Sequence, residues 1–187
     1  MKVKVAICGK MASGKTTLAD ALINGLGFEK FSLARPVKDF AHFLFDIPQG
    51  FKDREKFQKV GDGARKTLYA DIWIDVLKGR VAEAESSLAV VDDVRYQNEV
   101  VKLKSSGWVL VKIDISDDLQ IERLKKTYPD NWESHADSRN HPSEAEVDTI
   151  DDNLFDLVIP AEDTEIPIKT LLSFVCGDEQ TPLTIKN

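Results

Sequence analysis

One stretch near the amino terminus combines residue types and a spacing that bind phosphate. Residues 9–16 read GKMASGKT, a complete match to the pattern G-x-x-x-x-G-K-[ST]. In this pattern the glycines let successive backbone N–H groups point at a phosphate, and the lysine reaches the β- and γ-phosphates of a nucleotide. Lys15 is therefore the predicted phosphate-binding lysine, and Thr16 the predicted Mg²⁺ ligand. The loop alone does not distinguish a switch, an ATPase and a kinase, because all three use it.

A second candidate site follows an apolar stretch in the middle of the chain. Residues 89–95 read AVVDDVR, which places two carboxylates and an arginine after a run of aliphatic residues. Ligands bind at the carboxyl ends of the strands in open parallel sheets. If this strand lies beside the first, one of Asp92 and Asp93 can hold Mg²⁺ and the other can contact an acceptor, while Arg95 can bind a phosphate. The alternative is a solvated turn in which an aspartate caps a helix.

The elements that must position these residues alternate between strands and helices. Hydrophobic spacing predicts strands at 3–8, 28–33, 87–91, 108–113 and 154–159. It predicts helices at 15–26, 35–45, 55–68, 71–83, 99–105, 117–126 and 166–175. Such alternation predicts an α/β fold of the P-loop NTPase class, with a five-stranded parallel sheet flanked by helices. The length of 187 residues fits one domain.

Two connections are longer than ordinary strand-to-helix loops. The helical block at 35–85 lies between the second and third strands, and a polar stretch without hydrophobic periodicity covers 128–142. In an enzyme with two substrates, such segments are candidates for an acceptor-binding insertion and a lid. We therefore divide the chain into an insertion at 35–85, a short lid at 128–144, and a core made of 1–34, 86–127 and 145–187.

Composition and charge exclude several functions. The chain carries 25 basic and 32 acidic residues, a net charge of −7, which argues against a nucleic-acid-binding surface. No apolar run approaches the roughly 20 residues that cross a membrane. The first apolar run is too short for a secretory signal, so we expect a cytoplasmic protein. Cys8 and Cys176 have no metal-ligand spacing, and we expect buried thiols in a reducing compartment.

Four segments together resemble the bacteriophage-type deoxynucleoside-monophosphate kinase family, a branch of the nucleoside-monophosphate kinases: GKMASGKTT, FSLARPVKDF, QKVGDGARKTLYADIWID and VVDDVRYQNEV. The resemblance covers about Lys2 to Pro160. The phosphate loop is shared by many families, whereas the D-V-R-x-x-N-E stretch and the G-x-x-x-R and D-x-W spacings are much narrower. The resemblance implies transfer of the ATP γ-phosphate, with Mg²⁺, to a deoxynucleoside monophosphate. Phosphomevalonate kinases share a related D-x-R arrangement.

The same resemblance implies roles for individual residues. Thr16 and Asp92 would organise Mg²⁺, and the acceptor phosphate would be bound by Lys38, Arg65 and Arg95. Trp73 and Asp93 would contact the base or the sugar. For Lys38 the alternative is an exposed helix lysine, and for Trp73 it is a core position. ATP would be bound by the loop and the residue that follows it: Gly9, Lys10, Met11, Ala12, Ser13, Gly14, Lys15, Thr16 and Thr17.

In this kinase family, arginines at the lid stabilise charge on the transferred phosphoryl group. Arg139 lies in the predicted lid and Arg123 on the helix before it, so the resemblance implies that both act with Lys15 in catalysis. Lys125 or Lys126 is the alternative second lid cation. We expect His135 and His141 to be exposed loop residues rather than metal ligands.

Two other functions remain open at the level of the sequence. One is another small-molecule P-loop kinase, of the phosphomevalonate or dephospho-coenzyme A type. The other is a regulatory P-loop NTPase, although no guanine-reading N-K-x-D motif is present. Under the kinase hypothesis the partners are small nucleotides, the location is the cytoplasm (of the host if the protein is viral), and the chain is a monomer or a homodimer.

Overall fold

The sheet is built from apolar strands that run in one direction. The computed structural model describes residues 3–48, 50–51, 53–137, 142–162 and 165–176. Over these residues five parallel strands lie in the order β2-β3-β1-β4-β5. This confirms the predicted five-stranded parallel sheet, and the third strand lies beside the first. The strands are β1 (Val3–Gly9), β2 (Glu29–Phe31), β3 (Leu88–Val94), β4 (Val109–Asp114) and β5 (Leu157–Pro160).

Helices flank the sheet and follow the strands closely in sequence. They are α1 (Lys15–Leu26), α2 (Ala34–Leu44), α3 (Arg54–Thr67), α4 (Ile72–Glu83), α5 (Gln97–Ser105), α6 (Asp117–Thr127), α7 (Trp132–Asp137), α8 (Pro142–Ala145) and α9 (Glu165–Cys176). Most ends agree with the predictions within one or two residues. The third strand is an exception, because its pairing with β1 continues as far as Val94 opposite Cys8. Asp92 and Asp93 therefore lie within the strand rather than after it.

Strand β1 carries two cores, one on each face of the sheet. Val5 and Ile7 point to one face, where they pack in a buried cluster that contains residues of α1 and α9. Ala6 and Cys8 point to the other, toward a cluster supplied by α2, α3, α4 and α5. All four are fully buried, as the two-residue period of a central strand requires. The phosphate loop thus begins at the end of a strand that is fixed from both sides, and the prediction that Cys8 is buried is confirmed.

The segment predicted as a polar loop contains helical structure, which is a correction. Helix α7 occupies part of it because its aromatic side chains pack back on α6. The rings of Tyr128 and His135 stack with centroids 3.9 Å apart, and the Lys125 ammonium lies 4.6 Å from the Trp132 ring. His135 is consequently buried rather than exposed. Both contacts join side chains seven residues apart and involve aromatic rings, so a search for aliphatic periodicity does not detect them.

The rest of the predicted lid is described in part. Arg139 and His141 lie outside the described residues, and the predictions for them stand as they were made. After α8, a 3-10 turn at Glu146–Thr149 and another at Asp152–Leu154 lead into β5, which therefore starts later than predicted. In the part of the chain that is described, no helix has the length and apolar character needed to cross a membrane.

Candidate active site

The phosphate loop is shaped by glycines that no other residue can replace without strain. A Cβ atom on Gly9, whose φ is +154°, would lie 2.8 Å from the carbonyl oxygen of Ile113 in β4. Gly14 adopts the left-handed conformation, with φ of 103°, immediately before α1. The loop therefore curls tightly between β1 and the amino terminus of α1, where the helix dipole favours an anion.

Lys15 is folded into this loop. Its side chain is buried, and its Nζ donates to the carbonyl oxygens of Gly9 and Lys10 at 2.7 and 2.6 Å. Burial, together with the positive charge of Arg95, lowers the pKa of the Lys15 ammonium from 10.5 to about 7. The negative charge of a polyphosphate would stabilise the protonated form of this amine, so the position of Lys15 suits its predicted role.

Helix α6 holds the outer side of the loop. Arg123 donates through Nη1 to the carbonyls of Ala12 and Ser13, at 3.2 and 3.1 Å, and through Nη2 to the carbonyl of Ala161 after β5. Gln120 donates to the carbonyl of Met11 at 2.8 Å. The guanidinium predicted to act on the transferred phosphoryl group thus lies beside the loop and is bound to main-chain oxygens.

Two other residues predicted to bind ATP, Lys10 and Thr17, have contacts away from the loop backbone. The Lys10 ammonium forms salt bridges with Asp117 at 3.2 Å and Asp148 at 3.3 Å. Thr17, an exposed residue of α1, lines a small depression with Ser13 of the loop and Ala161 beyond β5. The loop and the segment after β5 therefore face the same depression.

Beside the loop lies a cavity of about 500 Å³ at the carboxyl ends of the strands. Residues of the loop, of β3 and of the helical insertion meet there. The cavity brings together six of the residues predicted for metal and acceptor binding: Thr16, Lys38, Arg65, Asp92, Asp93 and Arg95. These residues are up to 79 positions apart in the chain, and the sheet topology is what assembles them.

Asp92 is buried and paired with a lysine that the sequence analysis did not select. Its Oδ2 lies 2.7 Å from Nζ of Lys30, on the edge strand β2. Lys30 also lines the cavity. The signal available in the sequence was its place in a predicted strand, but the pairing of β2 with β3 is needed to bring it to Asp92.

Asp93 has a different set of contacts, although it is the next residue. Its carboxylate accepts from the hydroxyl of Ser32 at 2.6 Å and from the backbone N–H groups of Leu33 and Ala34 at 3.0 and 2.9 Å. It therefore caps the amino terminus of α2, in a role that the sequence analysis considered only as an alternative. Asp93 lines the cavity, but its oxygens are engaged with the protein.

Arg65 is held by groups from two helices. Its guanidinium lies 3.3 Å from Oε1 of Glu99, 3.5 Å from Oδ1 of Asp62, and 4.7 Å from the Tyr96 ring. The other oxygen of Glu99 accepts from the backbone N–H groups of Arg95 and Tyr96. Burial raises the pKa of the Glu99 carboxyl, and these hydrogen bonds oppose the shift. Glu99 was not selected from the sequence, where it is one of many helix carboxylates.

Trp73 is not part of the cavity wall, which corrects its predicted contact with the base or sugar. The side chain is buried in the core between the sheet and the insertion, and its indole N–H donates to the carbonyl of Gly61 at 3.1 Å. Gly61 itself lines the cavity. Trp73 therefore supports the wall from behind. Lys38, by contrast, is an exposed helix lysine that also lines the cavity.

Comparison with known proteins finds similarity in sequence to one protein and in fold to several solved structures. No family model matches the chain. A protein of Acanthamoeba polyphaga mimivirus named "Putative deoxynucleotide monophosphate kinase" is 28% identical over 142 residues, which cover 60% of this chain and 74% of that protein.

Solved structures share the fold over nearly the whole chain. A gluconokinase from Sinorhizobium meliloti 1021 superposes with a TM-score of 0.58 at 13% identity, covering 94% of this chain and 92% of the other. A shikimate kinase from Bacteroides thetaiotaomicron gives 0.57 at 17% identity, with 92% and 98% covered. At these identities the likeness concerns the fold alone. The chain therefore has the fold of the P-loop kinases, and the resemblance to deoxynucleoside-monophosphate kinases that its motifs indicated is confirmed by the viral relative.

Proposed function

We propose that this protein is an ATP-dependent deoxynucleoside-monophosphate kinase, which produces ADP and a deoxynucleoside diphosphate. The observation that carries the proposal is the set of cations around the cavity beside the phosphate loop. Lys38, Arg65 and Arg95 reach it from α2, α3 and the end of β3. Guanidinium groups match the oxygens of a phosphate bidentately, and a nucleoside monophosphate carries about two negative charges. The name of the viral relative supports the same acceptor class.

The carboxylates of the cavity favour a phosphate acceptor over an alcohol. A hydroxyl acceptor benefits from a general base within hydrogen-bond reach. Here Asp93 caps α2, Asp92 is paired with Lys30, and Glu99 is bound by backbone amides and Arg65. The fourth carboxylate of the cavity, Asp62, lies 3.5 Å from the Arg65 guanidinium. A phosphate acceptor brings its own anionic oxygen and needs cations rather than a base. The cavity therefore suits a monophosphate better than a sugar hydroxyl.

In the proposed reaction the acceptor phosphate oxygen forms a bond to the γ-phosphorus while the bond from that phosphorus to the β-phosphate oxygen breaks. The electron pair leaves with ADP, and no proton transfer is needed at the nucleophile. The transition state is loose, so the protein acts by positioning and by electrostatic stabilisation. The backbone from Gly9 to Thr17 would bind the ATP phosphates, and Lys15 would stabilise the charge of the transferred group. Arg123 and Arg139 stay proposed as catalytic arginines.

Two residues that line the cavity, Thr16 and Asp92, fit a magnesium ion. The Thr16 hydroxyl and the Asp92 carboxylate are oxygen donors, which Mg²⁺ prefers, and both line the same cavity. Mg²⁺, when bound with ATP, would neutralise charge on the phosphates. Asp92, which pairs with Lys30 in this structure, would hold the ion together with the Thr16 hydroxyl.

The test is an assay of ADP release with Mg-ATP and a panel of acceptors. The panel contains dAMP, dGMP, dCMP, dTMP, their ribose forms, and phosphomevalonate. We expect release that depends on at least one deoxynucleotide. Arg65→Met should raise the KM for that acceptor at least about tenfold. The matched control is Arg80→Met, because Arg80 is an exposed arginine of the insertion that pairs with Asp39 and does not line the cavity.

Three results would contradict the proposal. Slow release that no acceptor stimulates would indicate a regulatory NTPase. Stimulation by phosphomevalonate alone would indicate the other kinase class. Equal effects of the Arg65 and Arg80 variants would show that the cavity is not the acceptor site.

A further inference from the structure

Glu144 connects the donor side of the site to the acceptor side. It belongs to α8 and is the last residue of the predicted lid at 128–144, and its side chain is buried. One carboxylate oxygen accepts from the backbone N–H of Met11 in the phosphate loop at 2.6 Å. The other oxygen pairs with Nη1 of Arg95, which lines the acceptor cavity. A single side chain thus contacts both halves of the proposed phosphate-binding machinery.

The position of the Glu144 carboxylate is fixed by the two groups that it contacts. Leaving a buried carboxylate without one of its hydrogen-bond donors costs free energy, so each oxygen of Glu144 stays at its donor, Met11 or Arg95. Met11 and Arg95 lie 84 positions apart and follow different strands, β1 and β3. The carboxylate therefore sets the position of the Arg95 guanidinium relative to the loop. Transfer between two bound phosphates depends strongly on such alignment.

We propose that Glu144 is a positioning residue for phosphoryl transfer: it holds Arg95 at a fixed place relative to the phosphate loop, so that the acceptor phosphate faces the γ-phosphate of ATP. The proposal rests on the proposed function for the identity of the acceptor. It assigns to Glu144 a role that goes beyond fastening its segment to the core.

The neighbouring Glu146 provides a matched control. It lies two residues further along the same segment, and its carboxylate accepts from the backbone N–H of Gln97 at 2.8 Å, at the start of α5. Glu146 therefore also fastens the segment to the core through a backbone amide. This hydrogen bond of Glu146 is with α5, whereas the contacts of Glu144 are with the loop and Arg95.

The kinetic test compares Glu144→Gln with Glu146→Gln. Glutamine keeps the shape of glutamate, and its oxygen can still accept from Met11, but its NH₂ group cannot accept from the Arg95 guanidinium. We expect acceptor-dependent kcat to fall at least about tenfold in Glu144→Gln, because alignment is lost. The dissociation constant of a fluorescent ATP analogue should change less than about threefold, since the loop contact is retained. Glu146→Gln should keep kcat within about twofold of the unmodified chain.

Several outcomes would overturn the positioning role. A kcat unchanged in Glu144→Gln would exclude it, and equal losses in the two variants would show that both residues only fasten the segment. Tighter ATP binding with undiminished kcat would show instead that the carboxylate competes with phosphate for the loop.

A second measurement does not depend on the acceptor. Hydrogen exchange of the Met11 amide, followed by NMR, should be at least about tenfold faster in Glu144→Ala than in the unmodified chain and in Glu146→Ala. Fast exchange of Met11 in the unmodified chain would overturn the bridge itself. If no acceptor of the panel is phosphorylated by the unmodified chain, the proposed function fails, and the exchange result alone decides whether Glu144 ties down the loop.

Discussion

Replacing Lys15 by arginine tests the electrostatics of the donor site. The Lys15 amine is buried against two carbonyl oxygens, and burial together with Arg95 lowers its pKa to about 7. An arginine at this position stays protonated at every accessible pH, because its pKa lies above about 12. The two side chains should therefore respond differently to pH when a polyphosphate binds.

The magnitude follows from the lowered pKa. With a pKa of about 7, the amine is about half protonated at pH 7 and about one-hundredth protonated at pH 9. Bound phosphates favour the ammonium form, so binding above pH 7 takes up a proton. The dissociation constant of Mg-ATP should then rise about 50-fold from pH 7 to pH 9 in the unmodified chain, and less than about threefold in Lys15→Arg.

Calorimetry at pH 7, 8 and 9 provides the measurement. Titrations in two buffers of different ionisation enthalpy give the number of protons taken up, which should approach one at pH 9 in the unmodified chain. This readout holds even if the larger arginine does not fit the buried site. A dissociation constant that stays constant with pH, with no proton uptake, would refute the argument that Lys15 is largely neutral in the free protein.

The same pKa has a consequence for folding. In the unfolded chain the lysine titrates near its ordinary value of 10.5, above the folded value. Between pH 7 and 10.5 the unfolded state therefore binds more protons than the folded state, and the contribution of Lys15 to the free energy of unfolding rises with pH over that window. Below pH 7 both states are protonated, and this contribution no longer changes.

Three further substitutions separate chemistry from folding. Asp92→Asn should raise the Mg²⁺ concentration for half-maximal activity at least about tenfold. Asp93→Asn should instead lower the free energy of unfolding, because Asp93 caps α2. If Asp93→Asn changed the Mg²⁺ dependence and Asp92→Asn did not, the two roles would be exchanged. Gly9→Ala should lower the free energy of unfolding, in denaturant titrations, by about 1–3 kcal/mol, because its Cβ meets Ile113. Trp73→Phe should cost a similar amount without changing the acceptor KM; a raised KM would restore Trp73 to the cavity wall.

The place and shape of the phosphate loop could be predicted because the information for them is local. The residues from Gly9 to Thr16 are consecutive, and the strand before them and the helix after them have clear periodicities. The parallel sheet followed from the same periodicities. Arg95 was selected from its place at the end of the third strand, and Arg65 from the resemblance to deoxynucleoside-monophosphate kinases; both line the cavity.

The contacts of the cavity residues could not be predicted in the same way, because they depend on pairings between elements that are distant in the sequence. Nothing in the sequence distinguishes Asp92 from Asp93, yet the alternation of side chains along β3 sends one to Lys30 and the other to the start of α2. Trp73 lies on a helix whose inward face is set by how α4 packs on the sheet. Glu144 contacts groups 49 and 133 residues away, a relation that no local pattern contains.

The two adjacent aspartates of β3 imply different tolerances to natural sequence drift. Position 93 serves a helix start through three accepted hydrogen bonds, so related chains can replace it with another capping side chain if Ser32 changes with it. Position 92 pairs with Lys30 and lines the cavity beside the loop, where a carboxylate offers both a charge and the oxygen donors of the proposed metal site. Under the proposed function, relatives that keep Asp92 but vary at 93 would retain the reaction with a different cap on α2. Relatives that keep Asp93 but lose Asp92 would retain the fold without the reaction.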